Sequence, residues 1–327
     1  MTEKIPEVKI SQKEAFREPS FTIVVRKKRH GKTYDTRKKA KRYIKGNIAK
    51  GIEPRKVLYL DINKEYQDVK TIPVDLAFWE LLTPGEKEKT PEPPNWILAF
   101  SDKRFPVEER RIIPIKEDGK NMTIAEINIV LGFMLNNFMG GLLVVEDIAK
   151  YVHDSVNRDL SGGLATIRHR NCDVVCHFQW KKKALNPKLW GCVTYFRIGK
   201  TTDSFKKYKK DIVGQETILY LAENLINYMN TNLRKNATAE QLRMQKQIPI
   251  ETFECSVDLD EEVIRGAFTR TDFEQAILNY VGANRKEALE ELLGQFDPET
   301  GKNKYTFNEA YEIRKNELMN TYYGNDF

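Results

Sequence analysis

VVRKKRHGKTYDTRKKAKRYI, residues 24–44, joins a short apolar run to a Gly-Lys-Thr triplet within a strongly basic stretch. The apolar run FTIVV (21–25) predicts a buried strand, and the spacing of the few apolar residues after Thr33 predicts a helix. A phosphate-binding loop consists of a strand, a turn, a lysine, a hydroxyl and a helix N-terminus. Gly31, Lys32 and Thr33 match the end of that motif.

The same stretch permits a second interpretation. Arg26 stands five positions before Gly31, where the motif expects its first glycine, and twelve of residues 26–50 are lysine or arginine. A basic arm that lies on nucleic acid or in solvent would have the same composition. This stretch alone leaves both interpretations open, so the rest of the chain must decide between them.

The composition predicts a folded protein with a polyanionic partner. Of the 327 residues, 40% are apolar, and the formal net charge is +7. No apolar run approaches the roughly 20 residues that span a bilayer, so we expect neither secretion nor membrane insertion. Cys172 and Cys176 lie in an apolar run, which favours buried thiols over a disulfide. Cys176 and His177 have no second ligand pair at zinc spacing.

Strand and helix patterns alternate from residue 21 to about 198, and only helical patterns follow Asp211. This order predicts an α/β fold, a mostly parallel sheet covered by helices on both faces, with a C-terminal α-helical region. We expect an arm at 1–19, a core at 20–210 and a helical extension at 211–327. After FTIVV, the predicted strands are 57–62, 96–100, 110–115, 140–147, 172–179 and 193–198. The predicted helices include 123–139, 214–235, 239–247, 260–266, 270–281, 284–294 and 306–321.

Polar side chains end two of the predicted strands. Glu146 and Asp147 follow the buried run LLVV, and Gln179 ends the next strand. Because the carboxyl ends of parallel strands meet at one sheet edge, we expect all three side chains beside Lys32. One carboxylate can hold Mg²⁺ while the other orients the attacking water, and the amide can sense the γ-phosphate. Acids that merely begin a solvent-exposed loop are the alternative.

Arg168 and Arg170 precede the strand that Gln179 ends, so they lie at its opposite end. From there they are too distant to serve their own nucleotide but well placed to reach a neighbouring subunit. An arginine supplied in this way accelerates hydrolysis by roughly 10³–10⁵-fold. Exposed arginines at a helix end are the alternative.

Four segments, VVRKKRHGKT, VLYLDINKEY, GGLLVVED and RHRNCDVVCHFQ, together resemble the FtsK/HerA superfamily of DNA-pumping ATPases. They are most similar to its viral genome-packaging branch. Asp61, Glu65 and Tyr66 resemble the strand-two signature of HerA-like enzymes. The resemblance covers about residues 20–200 and implies a P-loop NTPase fold of the RecA/ASCE type that uses ATP and Mg²⁺.

The resemblance also implies a role for each matching residue. The nucleotide would be bound by His30, Gly31, Lys32 and Thr33, and Mg²⁺ would be held by Thr33 and Glu146. Asp147 would be the catalytic carboxylate and Gln179 the sensor of the γ-phosphate. Arg170 or Arg168 would be the arginine supplied in trans to a neighbouring subunit. Two positions depart from the family pattern. Arg26 replaces a glycine, and the acids run Glu-Asp rather than Asp-Glu, so their roles can be exchanged.

The function implied by the resemblance is that of an ATP-driven DNA translocase that packages a viral genome. Such enzymes form homo-oligomeric rings, usually hexamers, around DNA that they hold without sequence preference. We therefore expect the host cytoplasm or the virion, with the C-terminal helices docked on a capsid or vertex protein. A plasmid-transfer or chromosome-pumping ATPase is one alternative. A non-enzymatic basic DNA-binding virion protein with a decayed nucleotide site, which Arg26 favours, is another. Lysines and an arginine are expected to face the channel: Lys150, Arg158, Lys181, Lys182 and Lys183.

Overall fold

The computed structural model describes residues 19–27, 31–50, 52–74, 107–116, 118–147, 162–164, 166–185, 187–238 and 252–325. Several predictions from the sequence lie outside these residues. They are the arm up to residue 18, His30, the strand at 96–100, Lys150, Arg158 and the helix at 239–247.

The described strands form a single mixed sheet. The strands are β1 Phe21–Val25, β2 Lys56–Leu60, β3 Lys70–Thr71, β4 Glu109–Ile112, β5 Gly141–Val145, β6 Asp173–Phe178, β7 Tyr195–Gly199, β8 Glu254–Asp258 and β9 Val263–Gly266. Their order across the sheet is β3-β4-β2-β5-β6-β1-β7-β8-β9. All pairings from β3 to β7 are parallel, whereas β8 and β9 add as an antiparallel hairpin. The predicted α/β fold with a mostly parallel sheet is confirmed.

The longer described helices lie where the apolar spacing predicts them, and three of them begin with capping boxes. They are α1 Lys32–Lys45, α2 Ile124–Asn137, α3 Lys181–Ala184, α4 Pro187–Trp190, α5 Glu216–Lys235, α6 Arg270–Ala283, α7 Arg285–Leu293 and α8 Phe307–Tyr322. The N-caps of α2, α6 and α8 are Thr123, Thr269 and Thr306, each bonded to the acid three residues on. These boxes satisfy N–H groups that a helix start otherwise leaves unpaired.

Both faces of the central strands are buried, which explains their uninterrupted apolar sequences. Successive strand residues point to opposite faces. Val24 and Val144 pack on the side of Ala40 in α1. Ile23 and Leu143 belong to the larger cluster on the opposite side, which includes residues of α2 and α5. A strand covered on both faces has no polar position to alternate with.

The C-terminal third also contributes strands, which the sequence analysis did not predict. The prediction of a helix at 260–266 is wrong, because Val263–Gly266 is strand β9, paired with β8. The segment has too few residues for periodicity to separate helix from strand, so its pairing partner decides. Core residues of β7, α5 and α6 belong to one apolar cluster. The division near residue 210 stays a prediction.

Cys172 and Cys176 are buried free thiols, as the sequence predicts, and Cys255 is buried as well. Burial raises the pKa of the Cys172 thiol to about 11. Within the described ranges, no helix combines the length and apolar character needed to cross a bilayer.

Candidate active site

The carboxyl ends of four neighbouring strands form the site. Strand β6 lies between β1 and β5, and β2 lies on the far side of β5. In register, Val25 pairs with Phe178, and Val145 pairs with both Cys176 and Leu60. The residues that follow these strands therefore leave the sheet side by side. This is the edge where parallel α/β sheets bind their ligands.

Helix α1 starts at this edge with an N-terminus suited to an anion. Gly31 has φ 76° and ψ 14°, in the left-handed region that glycine adopts without strain. Glycine has no side chain to cap the first N–H groups, so these donors and the positive end of the helix dipole are available to a phosphate.

Lys32 reaches back from α1 to the ends of β6 and β5. Its Nζ donates to the Phe178 carbonyl at 3.3 Å and lies 3.7 Å from Asp147 Oδ1. Burial lowers the pKa of Lys32, while the negative charges of Asp147, Glu146 and Glu65 oppose that shift. A nearly buried cation thus lies where the strand ends and the helix start meet.

Asp147 is held in one orientation by amide groups. Gln179 Nε2 donates to both carboxylate oxygens at 2.9 Å, and Asn63 Nδ2 donates to Oδ2 at 2.8 Å. Its φ of 44° is uncommon for a residue with a side chain, and such conformations cluster at functional sites. The structure therefore brings Lys32, Asp147 and Gln179 together at one edge, as the sequence analysis expected of them.

Glu146 points away from this group, into a buried network. Tyr66 Oη donates to its Oε1 at 2.5 Å, and His177 Nδ1 lies 2.8 Å from its Oε2. The other nitrogen of His177 shares a 2.7 Å hydrogen bond with Thr36 Oγ1 of α1. Burial raises the pKa of Glu146, but His177 and Tyr66 lower it by more than burial raises it. The net pKa of Glu146 therefore lies below its ordinary value.

The opposite directions of the two acids follow from the alternation of a strand. Glu146 continues β5 on the face of Val144, whereas the left-handed backbone of Asp147 turns its side chain to the sheet edge. Both oxygens of Glu146, predicted to hold Mg²⁺, are already bonded within the protein. Its role as a metal ligand stays a prediction.

A third carboxylate comes from the loop after β2. Thr33 Oγ1 donates to Glu65 Oε2. The loop is fixed by Asp61, whose oxygens accept the N–H of Glu65 at 2.8 Å and that of Tyr66 at 3.1 Å. Arg111 Nη1 lies 3.0 Å from Asp61 and compensates its buried charge. The family signature included Asp61, Glu65 and Tyr66, but the contact with Thr33 is visible only in three dimensions.

The oxygen ligands at this edge suit Mg²⁺ with a bound phosphate. The Thr33 hydroxyl and the carboxylates of Glu65 and Asp147 are hard oxygen donors. Among the described residues, no group of three or more His, Cys, Asp and Glu is arranged to hold a metal by itself. Mg²⁺ usually takes one or two carboxylates and completes its shell with water and phosphate, so these residues fit that ion.

Arg26, at the position of the missing glycine, has a buried side chain that forms ion pairs within the protein. Its Nη1 lies 2.5 Å from Asp35 of α1, and its Nη2 pairs with Glu254 of β8. The aliphatic stem lies across Gly199, where an added Cβ would approach Arg26 Cγ to 2.5 Å. The arginine is therefore an internal tie between three elements, with Gly199 providing the necessary space.

The basic residues predicted for other roles have different surroundings. Arg170 lies at the amino end of β6, and its Nη1 donates to the Leu135 carbonyl near the end of α2. The side chain of Arg168 lies outside the described residues. The expectation that Lys181 faces a channel is wrong, because its Nζ is buried and bonded to Glu223 Oε1 and the Asp203 carbonyl, both at 2.7 Å.

The sequence analysis missed three contributors to the site. Asn63 lies in the segment VLYLDINKEY, just after a predicted strand. The same rule that placed Asp147 and Gln179 at the sheet edge, that residues following parallel strands meet there, would have identified it. His177 was considered only as a zinc ligand, and Thr36 was not considered. Both lie inside regular elements, where no local signal shows which side chain points toward a neighbouring strand.

No protein-family model matches the chain, and no curated protein sequence does. The chain is similar to the solved structure of the genome packaging NTPase from Sulfolobus turreted icosahedral virus 2 with ATP-gammaS, with 10% identity, a TM-score of 0.42, and 76% of this chain and 95% of that one covered.

Two other solved structures are similar over shorter or comparable lengths. For the DNA-packaging ATPase from Sulfolobus turreted icosahedral virus, identity is 14% and the TM-score 0.40, with 76% of this chain and 97% of that one covered. For the N-terminal domain of zonular occludens toxin from Neisseria meningitidis, identity is 13% and the TM-score 0.28, with 57% and 79% covered.

Proposed function

We propose that the chain is an ATPase that uses hydrolysis to move DNA, as a viral genome-packaging motor. The observation that carries the proposal is the meeting of Lys32, Asp147 and Gln179 at the carboxyl edge of the sheet. The nearby start of α1 supports a triphosphate in that place, because a helix N-terminus and a lysine both favour anionic oxygens. A passive basic arm would not need an acid and an amide fixed beside its lysine.

In the proposed reaction, Lys32 and the first N–H groups of α1 bind the β- and γ-phosphates of ATP. Mg²⁺, when bound, would supply further neutralisation of phosphate charge. The Thr33 hydroxyl, with Glu65 or Asp147, would hold it. The contact between Thr33 and Glu65 keeps these donors together beside the lysine.

Asp147 is the proposed catalytic carboxylate, which accepts a hydrogen bond from the attacking water and orients it. The amides of Gln179 and Asn63 keep its oxygens in place. Gln179 then has a second role as the sensor, since its amide can exchange Asp147 for a phosphate oxygen. Glu146 acts indirectly, because it fixes His177, which in turn bonds to Thr36 of α1.

The sequence resemblance supports a ring of identical subunits, most often six, around DNA held through its phosphates. It also supports a capsid or vertex protein as the partner of the C-terminal helices. Arg170 or Arg168 would complete the site of the next subunit. The protein would be located in the host cytoplasm or in the assembling virion.

Hydrolysis measurements test the enzymatic part of the proposal. The purified chain is expected to release phosphate from ATP, faster with duplex DNA, and Lys32→Ala is expected to abolish that activity. Lys38→Ala is the matched control, since Lys38 is an exposed lysine of the same helix. If neither wild type nor Lys38→Ala hydrolyses ATP while both bind DNA as Lys32→Ala does, the non-enzymatic alternative replaces this proposal.

A mixing experiment tests the shared site. Arg170→Ala and Asp147→Asn subunits are expected to be inactive alone and to regain part of the activity when mixed, because some interfaces then combine intact halves. No recovery at any ratio would contradict an arginine in trans. Thermal unfolding of Arg170→Ala controls for the bond between Arg170 and α2.

A further inference from the structure

Exposed lysines are concentrated on three neighbouring loops at the same sheet edge, after β1, β6 and β7. The residues Lys200–Asp211, which follow β7, include five lysines and two aspartates. Residues 205–211 form a short 3-10 helix that is kinked at Tyr208. We name the exposed members of this group the lysine edge: Lys27, Lys182, Lys200, Lys206, Lys207, Lys209 and Lys210.

Hydrogen bonds to the backbone of these loops join them into one surface. The N–H of Lys27 donates to the Lys200 carbonyl at 2.9 Å. Asp203 Oδ2 accepts the N–H groups of Lys181 at 2.9 Å and Lys182 at 3.4 Å, at the start of α3. The lysine edge is therefore continuous across the ends of β6, β1 and β7.

Buried groups hold the lysine-rich 3-10 helix in place from below. Phe205 is fully buried, and Lys181 Nζ lies 4.3 Å from the centre of its ring. Glu223 Oε2 accepts Ser204 Oγ at 2.9 Å and the Phe205 N–H at 3.3 Å, while its Oε1 accepts Lys181 Nζ. These contacts anchor the start of the helix, and the four lysines that follow are exposed to solvent.

Among the described residues, the acids beside the lysine edge are fewer than its lysines: Asp203, Asp211 and Glu287. The carboxylate of Asp203 is engaged in capping α3. Lys209 lies 3.4 Å from Glu287, but both side chains are more than half exposed, so this pair contributes little. Like charges held close together repel one another, and an external polyanion would relieve that repulsion.

We propose that the lysine edge is the surface that holds the phosphate backbone of DNA. The identity of the polyanion rests on the proposed function. Lysine ammonium groups are point charges that attract phosphate without reading bases, which suits a protein that moves along any sequence.

The position of the lysine edge links it to the nucleotide site. Gln179 contacts Asp147, and Lys181, two residues later, supports the 3-10 helix through Asp203 and Glu223. Trp180 between them is 49% exposed. A displacement of the sensor would thus be transmitted to the DNA-holding surface through three consecutive residues.

The salt dependence of DNA binding tests the proposal. Binding of a fluorescent duplex is measured by anisotropy over a range of KCl concentrations, without nucleotide, for a variant with Lys206, Lys207, Lys209 and Lys210 changed to Gln. Each lost phosphate contact lowers the slope of log K against log salt by about 0.9, so the slope is expected to fall by about 3 to 4.

A matched variant separates a defined surface from general charge. It carries Lys70→Gln, Lys120→Gln, Lys302→Gln and Lys304→Gln, which remove the same charge from exposed positions elsewhere. It is expected to keep the wild-type slope, and thermal unfolding checks both folds. Equal slopes for the two variants would overturn the proposal.

The same anisotropy assay with fluorescent polyglutamate in place of the duplex distinguishes a DNA-binding surface from one that binds an acidic protein. If the lysine-edge variant loses polyglutamate binding but keeps the DNA slope, the surface is a protein-docking site and the proposal is wrong. The measurement needs no hydrolysis. An inactive wild type with the expected slopes would therefore reject the ATPase function but leave the DNA surface standing.

Discussion

Glu254 provides a sharp test of how the C-terminal hairpin supports the phosphate-binding region. Its carboxylate pairs with Arg26 at the end of β1 and with Arg197 in β7. The two arginine side chains are only 2% and 4% exposed. Glu254→Gln keeps the shape of the side chain but leaves both buried guanidinium groups without its charge.

The expected loss of stability follows from this burial. Removing one partner of a buried ion pair costs about 3–5 kcal/mol, mostly because the other charge stays buried. Two features place Glu254→Gln at the lower end of that range. The Glu254 side chain is 23% exposed, and Arg26 retains Asp35 at 2.5 Å. We therefore expect the free energy of unfolding to fall by about 3 kcal/mol.

Urea unfolding at neutral pH measures this change, with Glu261→Gln as the control. Glu261 lies beside the same hairpin and pairs with Arg265, but these side chains are 62% and 37% exposed. Such a surface pair is worth about 0.2–1 kcal/mol. If the two variants lose the same stability at equal urea slopes, burial is not what makes the Glu254 pairs strong, and the reasoning fails.

The difference between wild type and Glu254→Gln should also depend on pH. Burial raises the pKa of Glu254, but the charges of Arg197 and Arg26 lower it by more than burial raises it. The net pKa of Glu254 therefore lies below its ordinary value of 4.5. A carboxylate with a lowered folded pKa stabilises the protein fully above its unfolded pKa and loses that contribution as pH falls through the folded value. The difference in unfolding free energy should be constant near neutral pH and shrink below about pH 4.5. A difference that grows on acidification would contradict the assignment.

Three further substitutions probe the site and its support. Lys181→Met is expected to lower the free energy of urea unfolding by about 3 kcal/mol, because it leaves the buried acceptors Glu223 and the Asp203 carbonyl without their donor. Lys182→Met, at an exposed position, should change that free energy by less than about 0.5 kcal/mol. Similar losses in the two variants would contradict this contrast. Asp147→Asn should lower ATP turnover by at least about 10²-fold, while Glu146→Gln should act mainly on stability, with a loss of about 2 kcal/mol; a larger loss of turnover in Glu146→Gln would exchange their proposed roles. Gly31→Ala should cost about 1 kcal/mol in thermal or urea unfolding through its left-handed backbone, and an unchanged stability would show that the turn rearranges.

Long apolar runs made most of the fold predictable. FTIVV and LLVV are buried on both faces, so their sequences are apolar throughout and mark central parallel strands. The hairpin of β8 and β9 was not predictable in the same way. Its strands are short and half-polar, and each is stabilised by pairing with a neighbour rather than by its own periodicity.

The amino-acid sequence by itself determined which residues end each central strand, because strand period and apolar character are local properties. From that alone, Lys32, Asp147 and Gln179 could be assigned to one sheet edge. Only the tertiary structure decided the direction of each side chain. Glu146 turns into the protein beside His177, and Arg26 pairs with Glu254, a residue distant in sequence. Such choices depend on what neighbouring strands and helices place within hydrogen-bonding distance, and that information is not contained in any single segment.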